Sequence, residues 1–226
     1  MIEAFIFDMD GTIVDTEIYW AEAISDYLKD NGCHCSQNRM LDLVFGHSWL
    51  DIHSNITTTF PEVADVTSED MAVSLSSYHQ RICDEKDDIV IESSVKLLKK
   101  LAEKYPVIVV SGSPRNDIIH NLKLADVYNN VQFILGAEDY PAGKPDPSGF
   151  LKGAEILNKA PAKCLVFEDS NAGVTAAKAA GMHCVALSRD NAYRQDVSHA
   201  DMILSDLSEF DVFSFENRCG FVSGQS

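Results

Sequence analysis

Hydrophobic and polar positions fall into two regimes along this chain. At its start, and again from about residue 88 onward, short contiguous apolar blocks alternate with amphipathic stretches. The blocks are Ala4-Phe5-Ile6-Phe7, Val107-Ile108-Val109-Val110, Val131 to Leu135, Cys164-Leu165-Val166-Phe167, Cys184 to Leu187 and Met202-Ile203-Leu204. Such short runs, rich in β-branched and aromatic residues, predict strands buried on both faces. Between them, helices are predicted over Ser94 to Lys104, Asn116 to Leu124, Pro147 to Leu157 and Asn171 to Ala180, the last capped by Gly181. Strands alternating with helices of this length imply βαβ units, hence an α/β fold with a parallel sheet.

The stretch from 16 to 87 reads differently. Ile18, Trp20, Ala21, Ile24, Tyr27 and Leu28 recur at helical spacing, so a helix is predicted over Glu17 to Asn31, stopped by Asn31-Gly32. Further helices are predicted over Gln37 to Phe45, Trp49 to Phe60 and Ser68 to about Asp84. With no strong strand signal, this stretch is expected to be an all-helical inserted domain, residues 16–87. Residues 1–15 and 88–226 would then make the α/β core, and Glu216 to Ser226 a frayed polar tail.

The polar residues that follow the strand blocks carry the candidate chemistry. Asp8 and Asp10-Gly11-Thr12 follow the first block, and Ser111-Gly112-Ser113 follows the second. Glu168-Asp169-Ser170 follows the fourth, and Gly143-Lys144-Pro145-Asp146-Pro147 lies between. Singly, each has an ordinary explanation as a turn, a helix cap or a solvated charge. Together they occupy strand carboxyl ends, where open α/β sheets place ligands. Acids brought together there need a compensating cation or a shared proton.

Composition narrows the partners. The net charge of -17 disfavours nucleic acid and anionic membranes, and 46% apolar residues can build a substantial core in 226 residues. No apolar run approaches the length of a membrane span, and the acidic start at Glu3 is unlike a signal peptide. A cytoplasmic protein with reduced cysteines, monomeric by default, is expected. Cys33-His34-Cys35 lacks a second ligand pair at structural-zinc spacing.

Asp8-x-Asp10-Gly11-Thr12, Ser111-Gly112-Ser113, Lys144-Pro145 and Glu168-Asp169-Ser170 resemble, in order and spacing, the four motifs of the haloacid-dehalogenase-like superfamily. The resemblance covers nearly the whole chain. The insert is similar to the helical cap of the branch with sugar phosphatases, phosphoglycolate phosphatases and β-phosphoglucomutase. The resemblance implies a Rossmann-like three-layer core and a Mg²⁺-dependent phosphatase of a small phosphorylated metabolite, a sugar or polyol phosphate. Asp8 would be the nucleophile and Asp10 the general acid and base, beginning protonated. Ser111, Gly112 and Ser113 would bind the phosphoryl group, and Lys144 would neutralise it. Asp8, the Asp10 main-chain carbonyl and Asp169 would hold Mg²⁺, with Glu168 ligating directly or through water. An acid at Asp10 excludes dehalogenation and phosphonate hydrolysis, since by resemblance those enzymes lack it.

A β-phosphoglucomutase-type mutase is the alternative. By resemblance, such enzymes carry His where this chain has Trp20, and Arg where it has Trp49. The insert also has few basic residues for a second phosphate: Lys29, Arg39, Arg81 and Lys86. Gly46-His47-Ser48-Trp49 reads as a specificity loop, with His47 and Trp49 expected on the leaving group, or as a helix break with a core Trp. The cap would open and close over the site about hinges near Asp15-Thr16 and Asp87-Asp88. A non-catalytic binding protein that keeps the fold is the remaining rival, and retention of all the motifs disfavours it.

Overall fold

The computed structural model describes residues 1–16, 19–35, 39–40, 43, 49–86, 88–189 and 195–221. In chain order the elements are β1 (Ala4–Phe7), α1 (Trp20–Asp30), α2 (Trp49–Thr59), α3 (Ser68–Asp84) and α4 (Glu92–Ala102). They continue with β2 (Val107–Val110), α5 (Arg115–Leu124), β3 (Phe133–Leu135), α6 (Ser148–Ile156) and β4 (Cys164–Glu168). Last come α7 (Asn171–Ala179), β5 (His183–Leu187), β6 (Met202–Leu204) and α8 (Val212–Arg218). The chain forms two compact units, Met1–Asp15 with Val90–Ser226, and Thr16–Ile89.

The first unit is a three-layer α/β fold. Its sheet is parallel throughout, in the order β3-β2-β1-β4-β5-β6. Strand alternation explains the layers. Phe5, Phe7, Val107, Val109, Leu165 and Phe167 face the cluster built with Val95, Leu98, Ile118, Leu122 and Phe215, from α4, α5 and α8. Ala4, Ile6, Ile108, Val110, Cys164 and Val166 face Phe150 and Ala154 of α6 and Val174 and Ala177 of α7. Phe7 and Phe167 stack across the β1–β4 pair with centroids 4.6 Å apart. Connections run outward from β1 on one side and from β4 on the other, so the switch point lies between these two strands.

The expected tail is corrected here. Helix α8 runs through Arg218, opened by Asp211, whose Oδ1 accepts the Ser214 N–H at 2.9 Å. Phe215 is fully buried, and the buried Glu216 carboxylate accepts the Ile2 N–H at 2.5 Å. Val212, Phe215 and Cys219 share the buried side, an apolar spacing that the polar composition of the segment masks.

The second unit is helical in its described elements. Ile24, Tyr27 and Leu28 of α1, Ile56 of α2 and Met71 and Leu75 of α3 form its core. Helix α2 persists through Thr57-Thr58-Thr59: Ile56 is fully buried, and Thr57 Oγ1 donates to the His53 carbonyl at 2.9 Å. The helix expected from Gln37 to Phe45 lies mostly outside the described residues, as does Asp87. Where the unit begins and ends, Tyr19 Oη donates to Asp88 Oδ1 at 2.6 Å, and His79 Nε2 lies 2.9 Å from the Thr16 carbonyl while its ring stacks on Trp20 at 3.9 Å. No helix among the described residues is long and apolar enough to cross a membrane.

Candidate active site

The register of β1 against β4 builds the centre of the site. Phe7 pairs with Phe167, and the Asp8 N–H donates to the Phe167 carbonyl at 3.0 Å. One residue on, alternation turns Asp8 and Glu168 to the side occupied by Ile6 and Val166. Both are buried, Glu168 at 0% exposure and Asp8 at 5%. Lys144 reaches between them, bonding Asp8 Oδ1 and lying 2.5 Å from Glu168 Oε1. Asp169 adds a third carboxylate, and oxygens of Asp8, Glu168 and Asp169 lie within 4.8 Å of one another.

Glu168 is held on both oxygens. Oε1 takes Lys144, while Oε2 accepts the Asp169 N–H, the Ser170 N–H and the Ser170 hydroxyl, each at 2.9 Å. Ser170 Oγ in turn accepts the Gly173 N–H at 3.0 Å as the N-cap of α7. The carboxylate lies so close to α7 that a Cβ on Gly173 would stand 1.7 Å from Oε1. Asp169 packs similarly onto Gly11, whose φ of +82° turns the chain after Asp10.

The turn after β2 addresses Asp10. Ser113 Oγ donates to Asp10 Oδ2 at 2.8 Å and Ser111 Oγ to the same oxygen at 3.3 Å. Ser111 Oγ also accepts the Ser113 N–H at 3.0 Å. Ser113, expected on substrate, therefore aims its hydroxyl at the second aspartate. Gly112 is exposed at the crest of this turn.

Burial pushes the Asp8 carboxyl up to about 8; Lys144 opposes the rise, and the charges of Glu168 and Asp10 add to it. Burial works against the Lys144 ammonium, but Asp8 and Glu168 outweigh it and hold this group above the usual lysine range. Lys144 thus stays cationic, and the acids around it still outnumber it.

The structure clusters Asp8, Lys144, Glu168 and Asp169, and it bonds Asp10, two residues after Asp8, to Ser111 and Ser113. The sequence reading left out Gly173 and Tyr140. A Gly in the first turn of an Ala-rich helix was the available signal for the former. Gly46 and His47 lie outside the described residues. Trp49 is half-buried within its own unit, its indole N–H donating to Ser68 Oγ at 2.9 Å. Cys33, His34 and Cys35 do not assemble a metal site among the described residues; the buried Cys33 thiol instead lies 3.7 Å from the Glu62 carboxylate.

Comparison with known families is decisive at this point, for the model of haloacid dehalogenase-like hydrolases matches residues 5–187. The chain belongs to that family. It is 27% identical over 210 residues to validoxylamine A 7'-phosphate phosphatase of Streptomyces hygroscopicus subsp. limoneus, covering 92% of this chain and 96% of that relative. It is 29% identical over 214 residues to hexitol phosphatase A of Escherichia coli, covering 93% and 94%. Among solved structures, β-phosphoglucomutase from Clostridium difficile superposes with a TM-score of 0.76 over 98% of each chain, at 24% identity, a likeness of fold.

As a haloacid dehalogenase-like hydrolase, the chain is an enzyme, and its acidic centre fits a divalent cation. The donors offered by Asp8, Glu168 and Asp169 are all carboxylate oxygens, the hard ligands such a cation takes.

Proposed function

We propose that this haloacid dehalogenase-like hydrolase is a Mg²⁺-dependent phosphatase of small phosphomonoesters, sugar or polyol phosphates, working through an aspartyl-phosphate on Asp8. One observation carries the reading: a partly buried lysine bonded to the first acid of the Asp8/Asp10 pair and to Glu168, beside a hydroxyl-lined turn bonded to the second acid. Nucleophile, proton carrier and phosphoryl neutraliser are thereby separate groups with separate partners. The names of the two relatives, a validoxylamine A 7'-phosphate phosphatase and a hexitol phosphatase, support the substrate class.

In this reading an Asp8 carboxylate oxygen attacks phosphorus in line as the ester P–O bond breaks. Asp10, as general acid, gives a proton to the departing alkoxide. Asp10 then takes a proton from a water that attacks the same phosphorus, the bond to Asp8 breaks and inorganic phosphate leaves. Ser111 and the Gly112 amide donate to the phosphoryl oxygens, and Lys144 balances their charge. Asp8, Asp169 and the Asp10 carbonyl would hold Mg²⁺, which when bound supplies further charge neutralisation at the phosphoryl oxygens. Ser111 and Ser113 fix the resting position of Asp10.

The mutase alternative requires cations for a second phosphate. In the second unit Arg81 is paired with Asp26 at 3.2 Å and Lys86 with Glu22 at 3.0 Å, and Lys29 is exposed on α1. These commitments favour a monophosphate. The test is a broad phosphomonoester panel with and without Mg²⁺, including β-glucose 1-phosphate. Free phosphate, abolished by chelation, is the expected product. Glucose 6-phosphate would replace this reading with the mutase, and no turnover on any ester would replace it with a binding protein.

A further inference from the structure

The peptide joining Ser111 to Gly112 is held from an unexpected side. Its carbonyl accepts a hydrogen bond from Tyr140 Oη at 2.7 Å. Tyr140 lies in the loop that leads to Lys144, and its ring rests on α6 so closely that a Cβ on Gly149 would come within 3.1 Å of Cζ. Burial raises the Tyr140 hydroxyl above its ordinary range, which keeps it a donor at neutral pH.

A peptide unit is planar and trans, so fixing the direction of its C=O fixes that of its N–H on the opposite edge. The N–H opposite the Ser111 carbonyl is that of Gly112. Among the described residues the Gly112 N–H has no acceptor, and nothing stands within 4 Å of where a Gly112 side chain would begin. The same peptide therefore has its carbonyl edge anchored in the protein and its N–H edge without an acceptor among the described residues.

We infer that Tyr140 is a positioning residue for phosphoryl binding: by holding the Ser111 carbonyl it aims the Gly112 N–H at a transferring phosphoryl oxygen. The inference rests on the proposed phosphatase reading for what the Gly112 N–H meets. Tyr140 touches neither substrate nor nucleophile. It couples the turn after β2 to the loop that carries Lys144, so the amide and the ammonium are set against each other by one side chain. Preorganised donors of this kind act where charge develops, and misdirecting one is felt more in turnover than in substrate capture.

Tyr140→Phe removes the hydroxyl and keeps the ring, so the packing on Gly149 survives. Its binding of vanadate, which mimics the phosphoryl group in flight, is measured by calorimetry with Mg²⁺ present, alongside thermal unfolding and kinetics on p-nitrophenyl phosphate. The expected result is vanadate binding weakened about 5- to 20-fold, kcat lowered by a similar factor, KM changed less than about twofold, and an unfolding midpoint within a few degrees of the parent. In the Ser111→Ala background, which keeps the backbone carbonyl, Tyr140→Phe should weaken vanadate binding by the same factor again. Unchanged vanadate affinity in Tyr140→Phe overturns the inference, as does a factor that vanishes in the Ser111→Ala background. Vanadate binding does not depend on turnover. A parent enzyme that binds vanadate but hydrolyses no ester would thus count against the phosphatase reading while still deciding the role of Tyr140.

Discussion

The two units treat charge in opposite ways. Among the described residues the buried charged side chains are Asp8, Glu168 and Glu216, all in the unit of Met1–Asp15 and Val90–Ser226. In the unit Thr16–Ile89 the ion pairs Arg81–Asp26 and Lys86–Glu22 are at least one-third exposed. Burying an ionised group is expensive unless every lone pair and proton is answered, whereas an exposed pair contributes little either way. Desolvated Asp8 and Glu168 sit at the candidate site, while Glu216 is answered structurally by the Ile2 N–H; the helical unit buries no charged side chain among its described residues.

That contrast can be broken by experiment. The largest effect is expected from Asp8→Asn, which keeps the shape of the buried group and removes the nucleophile: kcat should fall at least about 10³-fold while circular dichroism and the unfolding midpoint hold. Residual turnover within tenfold of the parent would refute the assignment. Phe215→Ala should destabilise the first unit by about 3–5 kcal/mol in urea titrations, because a fully buried ring leaves a cavity under the sheet. A loss below about 1 kcal/mol would mean that α8 is not docked through Phe215.

Gly173→Ala comes next. Its new methyl must displace a carboxylate fixed at both oxygens, and a misplacement of about 1 Å near the reacting centre costs about 10² in kcat. If activity stays within threefold, Glu168 is not the anchor described above. Trp49→Ala tests the helical unit. The order of preference across a phosphomonoester panel should change by a few fold, with p-nitrophenyl phosphate hydrolysis nearly constant; an unaltered ranking leaves Trp49 as a packing residue alone. Smallest of all, Arg81→Ala should shift stability by less than about 0.5 kcal/mol and leave turnover within twofold.

Much of this was legible in the chain because strand chemistry is local. Val107 to Val110 and Cys164 to Phe167 announce themselves by unbroken apolar runs, and the acids at the ends of β1 and β4, Asp8 and Glu168, are brought side by side by parallel register. Helix α8 was hidden because three apolar positions among polar neighbours carry its burial, and because the partner of Glu216 is Ile2, at the far end of the sequence. The role of Ser113 was hidden for a related reason. A hydroxyl two residues beyond a strand can face a ligand or a neighbouring acid, and only the path of the turn decides that it meets Asp10. Tyr140 and Gly173 show the same limit from the other direction. Neither belongs to a motif, and each matters through a distance that composition does not encode.

Glu168 ties helix initiation to catalysis in a way that constrains how such an enzyme can diverge. The same carboxylate steadies the first turn of α7 and grips the lysine that bonds Asp8. No replacement can improve one duty without disturbing the other, so this position is closed to gradual tuning. Every group that holds it, Lys144, Ser170 and the Asp169 amide, belongs to the same unit. Swapping or randomising the residues between Thr16 and Ile89 therefore leaves that joint untouched.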